Sequence, residues 1–258
     1  MNFFDIMKKS CYSAGEIMME SFEQNKEIKS KGENNWVTEI DIKIENTIVN
    51  LIKRDYPDSS FLAEELNSNN NKKSSLHWII DPIDGTNNYI HDYPFFCISI
   101  GLMIEGIISH AAILDPVRNE FFYSEKGAGS YLNDKKIFVS NNNKLNQALL
   151  CTGFITSNKE YGEANVENFK NLLYKCRSIR RDGSAALDLA YVACGRLDGF
   201  WELGLNPWDT AAGILLVEEA GGMITKINGE EYEIHQKDIV ASNSLIHKDL
   251  LYILECKL

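Results

Sequence analysis

Several common patterns are missing from this chain of 258 residues, and each absence removes a class of chemistry. The six cysteines, Cys11, Cys97, Cys151, Cys176, Cys194 and Cys256, form no Cys-x-x-Cys pair. That argues against a zinc ribbon or a disulfide framework and for reduced core thiols, hence a cytoplasmic address. The five histidines, His77, His91, His110, His235 and His247, show no metal-binding spacing, which argues against zinc. No run reaches the roughly eighteen consecutive apolar residues of a membrane span. The N-terminus lacks the uninterrupted apolar region and small-residue cleavage site of a secretory signal; Met7, Cys11, Ala14 and Met18 recur instead at the spacing of a packed helix. Positive charge is scarce: Lys and Arg number 26 against 37 Asp and Glu, a formal charge of -11. A chain this acidic does not coat nucleic acid by electrostatics. Internal repeats, low-complexity tracts and long linkers are missing too, and Asn67 to Ser75 is a polar loop.

What is present suffices for a mixed α+β fold. Hydrophobic residues are 44% of the chain, ample for one large or two intimate domains. Ile44, Ile48, Leu51 and Ile52 mark a second amphipathic helix, opened by Thr38 or Asp41 as its cap and closed before Pro57. Phe61-Leu62-Ala63 reads as a strand. From Cys97 to Ser140, short β-rich runs alternate with turns at Glu105-Gly106, Asp115-Pro116 and Asn133-Asp134, as in an antiparallel meander. Beyond it strand and helix alternate: Leu149 to Thr152, a helix near Glu163 to Tyr174, a helix over Ser184 to Cys194, and Asp198 to Trp201. Trp208 to Ala220 is a helix stopped by Gly221-Gly222. The expected division is an N-terminal α+β half, residues 1–145, and a C-terminal α/β half, residues 146–258.

The chemistry concentrates in Asp81-Pro82-Ile83-Asp84-Gly85-Thr86, preceded by Glu64-Glu65 and answered downstream by Trp208-Asp209. Acids gathered around one glycine turn raise one another's pKa unless a cation neutralises them, so the arrangement asks for a divalent metal. Leu76 to Ile80 suits a buried strand that delivers Asp81 at its carboxyl end. Pro82 fixes the exit, so Asp81 and Asp84 share one side of a tight turn and the Ile83 carbonyl is a third oxygen ligand; hard oxygens favour Mg²⁺ or Mn²⁺. Gly85 permits close approach to an anion and Thr86 stands where a helix can begin, so their N–H groups suit a phosphate. The hexapeptide alone also reads as a surface turn, and Asp209 alone as a helix cap. The Asp-x-Asp-Gly-Thr loop of haloacid-dehalogenase-type phosphatases is excluded, because its carboxylates lie two residues apart and these lie three apart.

Together with Lys31-Gly32, Val37-Thr38-Glu39-Ile40-Asp41, Ala63-Glu64-Glu65, Arg180-Arg181-Asp182-Gly183-Ser184-Ala185-Ala186-Leu187-Asp188, Trp208-Asp209-Thr210-Ala211-Ala212-Gly213 and Glu219-Ala220-Gly221-Gly222, these motifs resemble the inositol monophosphatase family, close to its bacterial SuhB type. The resemblance covers nearly all of the chain; Ala63 stands where many members carry Gly. It implies a layered α-β-α-β-α sandwich of the inositol monophosphatase and fructose-1,6-bisphosphatase type, with the site between the halves. It implies that Glu64, Asp81, the Ile83 carbonyl, Asp84 and Asp209 hold roughly two or three Mg²⁺ ions, with Mn²⁺ as a substitute. Asp41 and Thr86 resemble the pair that orients and deprotonates the attacking water, with Glu64 beside them. Asp84, Gly85, Thr86 and Asp209 would face the phosphate, Gly183, Ser184 and Ala185 would form the close wall, and Glu202 would accept hydrogen bonds from inositol hydroxyls. Read alone, Glu202 could equally cap or pair with Arg180 at the rim. Glu65 is an outer partner or a solvated carboxylate. Lys31, with Lys29 nearby, assists on a mobile loop or is solvated. Tyr89, Phe95 and Phe96 read as packing around the site.

The implied reaction is Mg²⁺-dependent hydrolysis of a phosphate monoester by in-line attack of metal-activated water, without a phosphoenzyme. Inositol monophosphate is the favoured substrate, and the family suggests a lithium-sensitive homodimer. Alternatives are a sugar bisphosphate or nucleotide phosphatase of the same fold, acting on adenosine bisphosphate or NADP, or a regulatory protein that binds transcription machinery. Neither a membrane nor direct nucleic-acid binding is implied.

Overall fold

Burial of one face explains the first helix. In the computed structural model, which describes residues 2–22, 28–30, 36–65 and 74–254, α1 (Phe3–Phe22) turns Ile6, Met7, Cys11, Ala14 and Met18 inward, as their helical spacing requires. The expectations for Lys31, and for most of the polar loop after Asn67, fall outside the described residues. Strands β1 (Ile28–Ser30) and β2 (Trp36–Thr38) pair antiparallel. They lead into α2 (Glu39–Asp55), which buries Ile44, Ile48, Val49 and Ile52. Asp41 lies inside this helix and is only 2% exposed, so it is no cap. Its carboxylate acts on Asp81 and Tyr89 instead, both of them buried.

The first sheet follows as β3 (Ser60–Ala63), β4 (Leu76–Asp84), the short α3 (Thr86–Ile90), then β5 (Cys97–Ile104), β6 (Ile107–Asp115), β7 (Glu120–Glu125), β8 (Gly129–Leu132) and β9 (Lys135–Ile137). Its seven strands lie in chain order, parallel between β3 and β4 and antiparallel from there on. The second half runs β10 (Leu149–Thr152), α4 (Lys159–Leu173), β11 (Ser178–Arg180), α5 (Ala185–Ala193), β12 (Gly199–Leu203), α6 (Pro207–Glu219), β13 (Met223–Thr225), β14 (Asp238–Ser242) and α7 (His247–Leu254). Its sheet has the order β11-β10-β12-β14-β13, parallel across the first three strands and antiparallel beyond. At three residues each, β11 and β13 are too short to show a period in the sequence.

Alternation along the strands sorts side chains into layers. In β5, Ile98, Ile100 and Leu102 join the cluster of α1 and α2, while Cys97 joins that of α5 and α6. In β12, Phe200 packs with α5 and α6, whereas Trp201 and Leu203 pack with α7 residues Leu250 and Leu254. The stacking order is α1/α2, seven-stranded sheet, α5/α6, five-stranded sheet, α4/α7, which is an α-β-α-β-α sandwich. Helix α6 is apolar nearly all round because it lies between two sheets, with Thr210 through Val217 buried. Burying side chains such as Leu215, Leu216 and Val217 contributes roughly 1.5–3 kcal/mol each, which holds the N-terminus of α6 where Asp209 is needed. Gly213 lets α5 come close: a Cβ there would lie 2.5 Å from the Leu189 Cβ.

Candidate active site

Strand β4 does not end at Asp81 as the sequence suggests. It continues through Pro82 and Ile83 to Asp84, with a shift of register against β5: Asp81 faces Ser99 and Asp84 faces Cys97. Three steps on β4 match two on β5, so the expected tight turn is a bulged strand. The bulge accommodates Pro82, which has no N–H for the ladder. It also explains how both carboxylates serve one site. In a regular strand residues three apart point to opposite faces, and the extra residue brings Asp84 back to the side of Asp81. The chain turns at Gly85, at φ 94, where a Cβ would lie 3.0 Å from the Phe95 carbonyl oxygen. Thr86 then opens α3, and its hydroxyl donates to the Ile83 carbonyl at 2.9 Å. That carbonyl keeps a second lone pair for a cation.

Carboxylate oxygens of Asp81, Asp84 and Asp209 come within 4.8 Å of one another. Asp81 is buried, and its Oδ1 has no hydrogen-bond partner among the described residues. Burial, then the charges of Glu64, Asp84, Asp209 and Asp41, hold its carboxyl well above the usual range. Burial lifts Asp84 to about 6. Opposing that rise are hydrogen bonds to its Oδ2 from the Ser184 hydroxyl at 2.6 Å, the Ala186 N–H at 2.7 Å and the Cys97 thiol at 3.9 Å. Asp209 is pushed up to about 7 by burial and by Asp84, against the Asn206 N–H, which donates at 2.6 Å, and Lys237. Asp209 and Asn206 form a capping box, so the helix-cap reading holds alongside membership of the acidic group. Hard oxygens, mutual repulsion and an orphaned buried lone pair suit an oxygen-preferring divalent ion such as Mg²⁺ or Mn²⁺.

Glu64 contributes the largest charge effect on Asp81. The segment that carries it is tied to α2, where buried Glu45 accepts the Glu65 N–H at 2.8 Å. Glu45 was not singled out from the sequence, although a glutamate beside Ile44 on an inward face is a signal. Asn88 was missed as well. Its amide donates to the carbonyls of Phe95 at 2.7 Å and Asp182 at 2.8 Å, joining α3 to the Gly183 turn. Ser184 caps α5 by accepting from the Leu187 N–H, so Gly183, Ser184 and Ala185 stand beside Asp84. Tyr89, Phe95 and Phe96 are buried, and the Tyr89 hydroxyl lies 2.7 Å from the Ser21 hydroxyl, a packing role.

Glu202 is buried on β12, where burial and then Asp209 push its carboxyl up to about 8 while Arg181 opposes them. Arg180 does not pair with it; its guanidinium donates to the Ser178 hydroxyl and the Ile179 carbonyl. Alternation along β11 and its exit turns Arg180 away and leaves Arg181 as the cation acting on Glu202. Gly153 makes the necessary room, since a Cβ there would overlap the Glu202 carboxylate. The five described cysteines are free, and no helix among the described residues is long and apolar enough to cross a membrane.

The inositol monophosphatase family model matches residues 2–257. The chain is 41% identical over 229 residues to Nus factor SuhB of Xylella fastidiosa, covering 88% of this chain and 82% of that protein. A solved structure of extragenic suppressor protein SuhB from Bartonella henselae superposes with TM-score 0.94 at 35% identity, over 99% of both chains. Inositol monophosphatase from Anabaena (Nostoc) sp. PCC 7120 superposes with TM-score 0.89 at 39% identity, over 98% of this chain and 94% of that one.

Proposed function

This chain belongs to the inositol monophosphatase family, and from that premise we propose that it is a Mg²⁺-dependent phosphate monoester hydrolase acting on inositol monophosphate. The observation that carries the reading is the Asp81, Asp84 and Asp209 group, the first two buried and the third half-buried, with oxygens within 4.8 Å and Asp81 Oδ1 unpartnered among the described residues. These three residues, with Glu64 and the Ile83 carbonyl, would hold the ions. When bound, the ions supply Lewis-acid activation of water and offset the charge of the phosphate dianion.

The chain's own residues do the rest. Ser184 and Ala186 fix Asp84 Oδ2, so the carboxylate is oriented before any ligand arrives. The Thr86 hydroxyl, held on the Ile83 carbonyl, orients the attacking water, and Asp41, buried in α2, takes its proton. N–H groups of Gly85 and Thr86 and the wall of Gly183, Ser184 and Ala185 position the phosphate for in-line displacement. Glu202 accepts hydrogen bonds from ring hydroxyls of the leaving alcohol. By family membership the proposal extends to a cytoplasmic homodimer inhibited by lithium.

Phosphate release with Mg²⁺ across a panel of inositol, sugar and nucleotide phosphates tests the reading. Activity should vanish on chelation, return with Mg²⁺ and be highest on inositol monophosphate. Full turnover in metal-free buffer would overturn the mechanism, and a preference for adenosine bisphosphate or a sugar bisphosphate would overturn the substrate. The relative's name, Nus factor SuhB, supports a second role as a partner of transcription machinery. Asp84→Asn separates the two: hydrolysis should be lost while binding to the transcription complex persists.

A further inference from the structure

A second set of ligand atoms lies at the five-stranded sheet, and the proposed hydrolysis makes no use of it. Cys151 on β10, Asp182 after β11 and Asp188 on α5 each bring a sulfur or oxygen within 4.8 Å of the other two. The topology produces the meeting: β10 and β11 are parallel with Cys151 opposite Arg180, so Asp182 emerges just beyond, and α5 packs across β10. Cys151 Sγ lies 3.8 Å from Asp182 Oδ2. Ordinary Zn–S and Zn–O bond lengths on one tetrahedral ion put those atoms about 3.6 Å apart.

An independent observation points to a ligand. Asp188 is 1% exposed, and its Oδ1 has no hydrogen-bond partner among the described residues. Burial holds its carboxyl well above the usual range; a hydrogen bond from Cys151 opposes the rise, while Asp182, Glu202 and Asp84 add to it. A buried acid in that position either keeps its proton or takes a cation.

We propose that Cys151, Asp182 and Asp188 form a second cation site, separate from the oxygen-only centre, for a thiophilic divalent ion such as zinc or cobalt. The donor sets divide the ions: sulfur selects Zn²⁺ or Co²⁺, whereas carboxylate oxygen alone suits Mg²⁺. As the metal–sulfur and metal–oxygen bonds form, the Cys151 thiol and the Asp188 carboxyl release their protons to solvent, and no electron is transferred. Three protein ligands leave a fourth position for water. The site adjoins the wall that carries Glu202, because β12 pairs with β10, so occupancy exchanges two protons for one divalent ion beside the substrate pocket with no change in net charge.

Titration of reduced, metal-free protein with Co²⁺ under saturating Mg²⁺ tests the proposal, read by the thiolate-to-cobalt charge-transfer band and by acid release in weak buffer. The band should saturate at a single equivalent with proton release. It should vanish in Cys151→Ser and need at least about tenfold more cobalt in Asp188→Asn. It should persist in Cys97→Ser, whose thiol approaches Asp84 at the other centre. Absence of the band, survival in Cys151→Ser or loss in Cys97→Ser overturns the site. Should Cys151→Ser fail to fold, unchanged cobalt affinity in Asp188→Asn overturns it alone.

Discussion

The Ser184 hydroxyl donates a 2.6 Å hydrogen bond to Asp84 Oδ2, joining residues 100 apart in the sequence, while Ser184 Oγ itself accepts the Leu187 N–H as the cap of α5. One hydroxyl thus aims a candidate metal ligand and starts a helix. Ser184→Ala should lose about 1–2 kcal/mol of stability from the cap and the charge-assisted bond. Urea denaturation measures that loss. The Mg²⁺ concentration for half-maximal activity should rise with it, and Ser184→Thr should recover part of both.

The acidic group gives the metal-free protein a pH dependence of known sign. Asp84 and Asp209 stand at about 6 and about 7 in the fold, and Asp81 is raised as well, chiefly through burial. From the ordinary value of 3.8 up to these folded values the native state holds more protons than the unfolded one, so stability falls as pH rises through that window. Calorimetry in chelator should give a lower contribution to Tm from these groups at about pH 8 than at about pH 5, and Mg²⁺ should raise Tm more at the higher pH. A Mg²⁺ effect equal at both values would contradict the assignment.

Asp84→Asn should lower kcat by about a thousandfold or more on every phosphate monoester, because positioning and charge stabilisation fail together. The metal-free variant should melt no lower than the parent, since it removes a buried charge that raises both Asp81 and Asp209. Loss of activity with a falling Tm would point to misfolding instead.

Glu202→Ala should chiefly raise KM for inositol monophosphate and leave a small aryl phosphate nearly unaffected, since the aryl ester offers no ring hydroxyls. Steady-state kinetics on both substrates decide the point. Equal losses on the two would make Glu202 structural.

Gly213→Ala should destabilise the protein although alanine is the better helix former. The propensity gain is about 1 kcal/mol. The new Cβ would lie 2.5 Å from the Leu189 Cβ, which no rotamer change moves, and overpacking of that kind costs about 1–3 kcal/mol. A denaturation midpoint above the parent's would show that α5 and α6 part more easily than their packing implies.

Local periodicity sufficed for α1, for the body of α2 and for α4, because burying one face imposes its period, while turn residues delimited the meander from β5 to β9 and glycines marked the ends of α5 and α6. Strands as short as β11 and β13 carry no such trace. The acids at Asp81 and Asp84 were legible as a candidate cation site by type and spacing, and Asp209 joined them through the family resemblance. Their partners were not. That Asp84 is held by Ser184 and Ala186, that Arg181 rather than Arg180 acts on Glu202, and that Asp41 turns inward from within α2 all depend on contacts between distant segments.

The sequence alone determined the element types, the acidic chemistry and the family resemblance, because these follow from side-chain identity and short-range spacing. Tertiary structure alone decided the geometry of the site. The bulge at Pro82 exists only against the register of β5, and it turns Asp84 to the side of Asp81. Helix α6 has no single apolar face to orient it, so only the two sheets that enclose it bring Asp209 to the same place. The Cys151, Asp182 and Asp188 group likewise appears once β10, β11 and α5 are packed, because separations along the chain say nothing of distances across a layer.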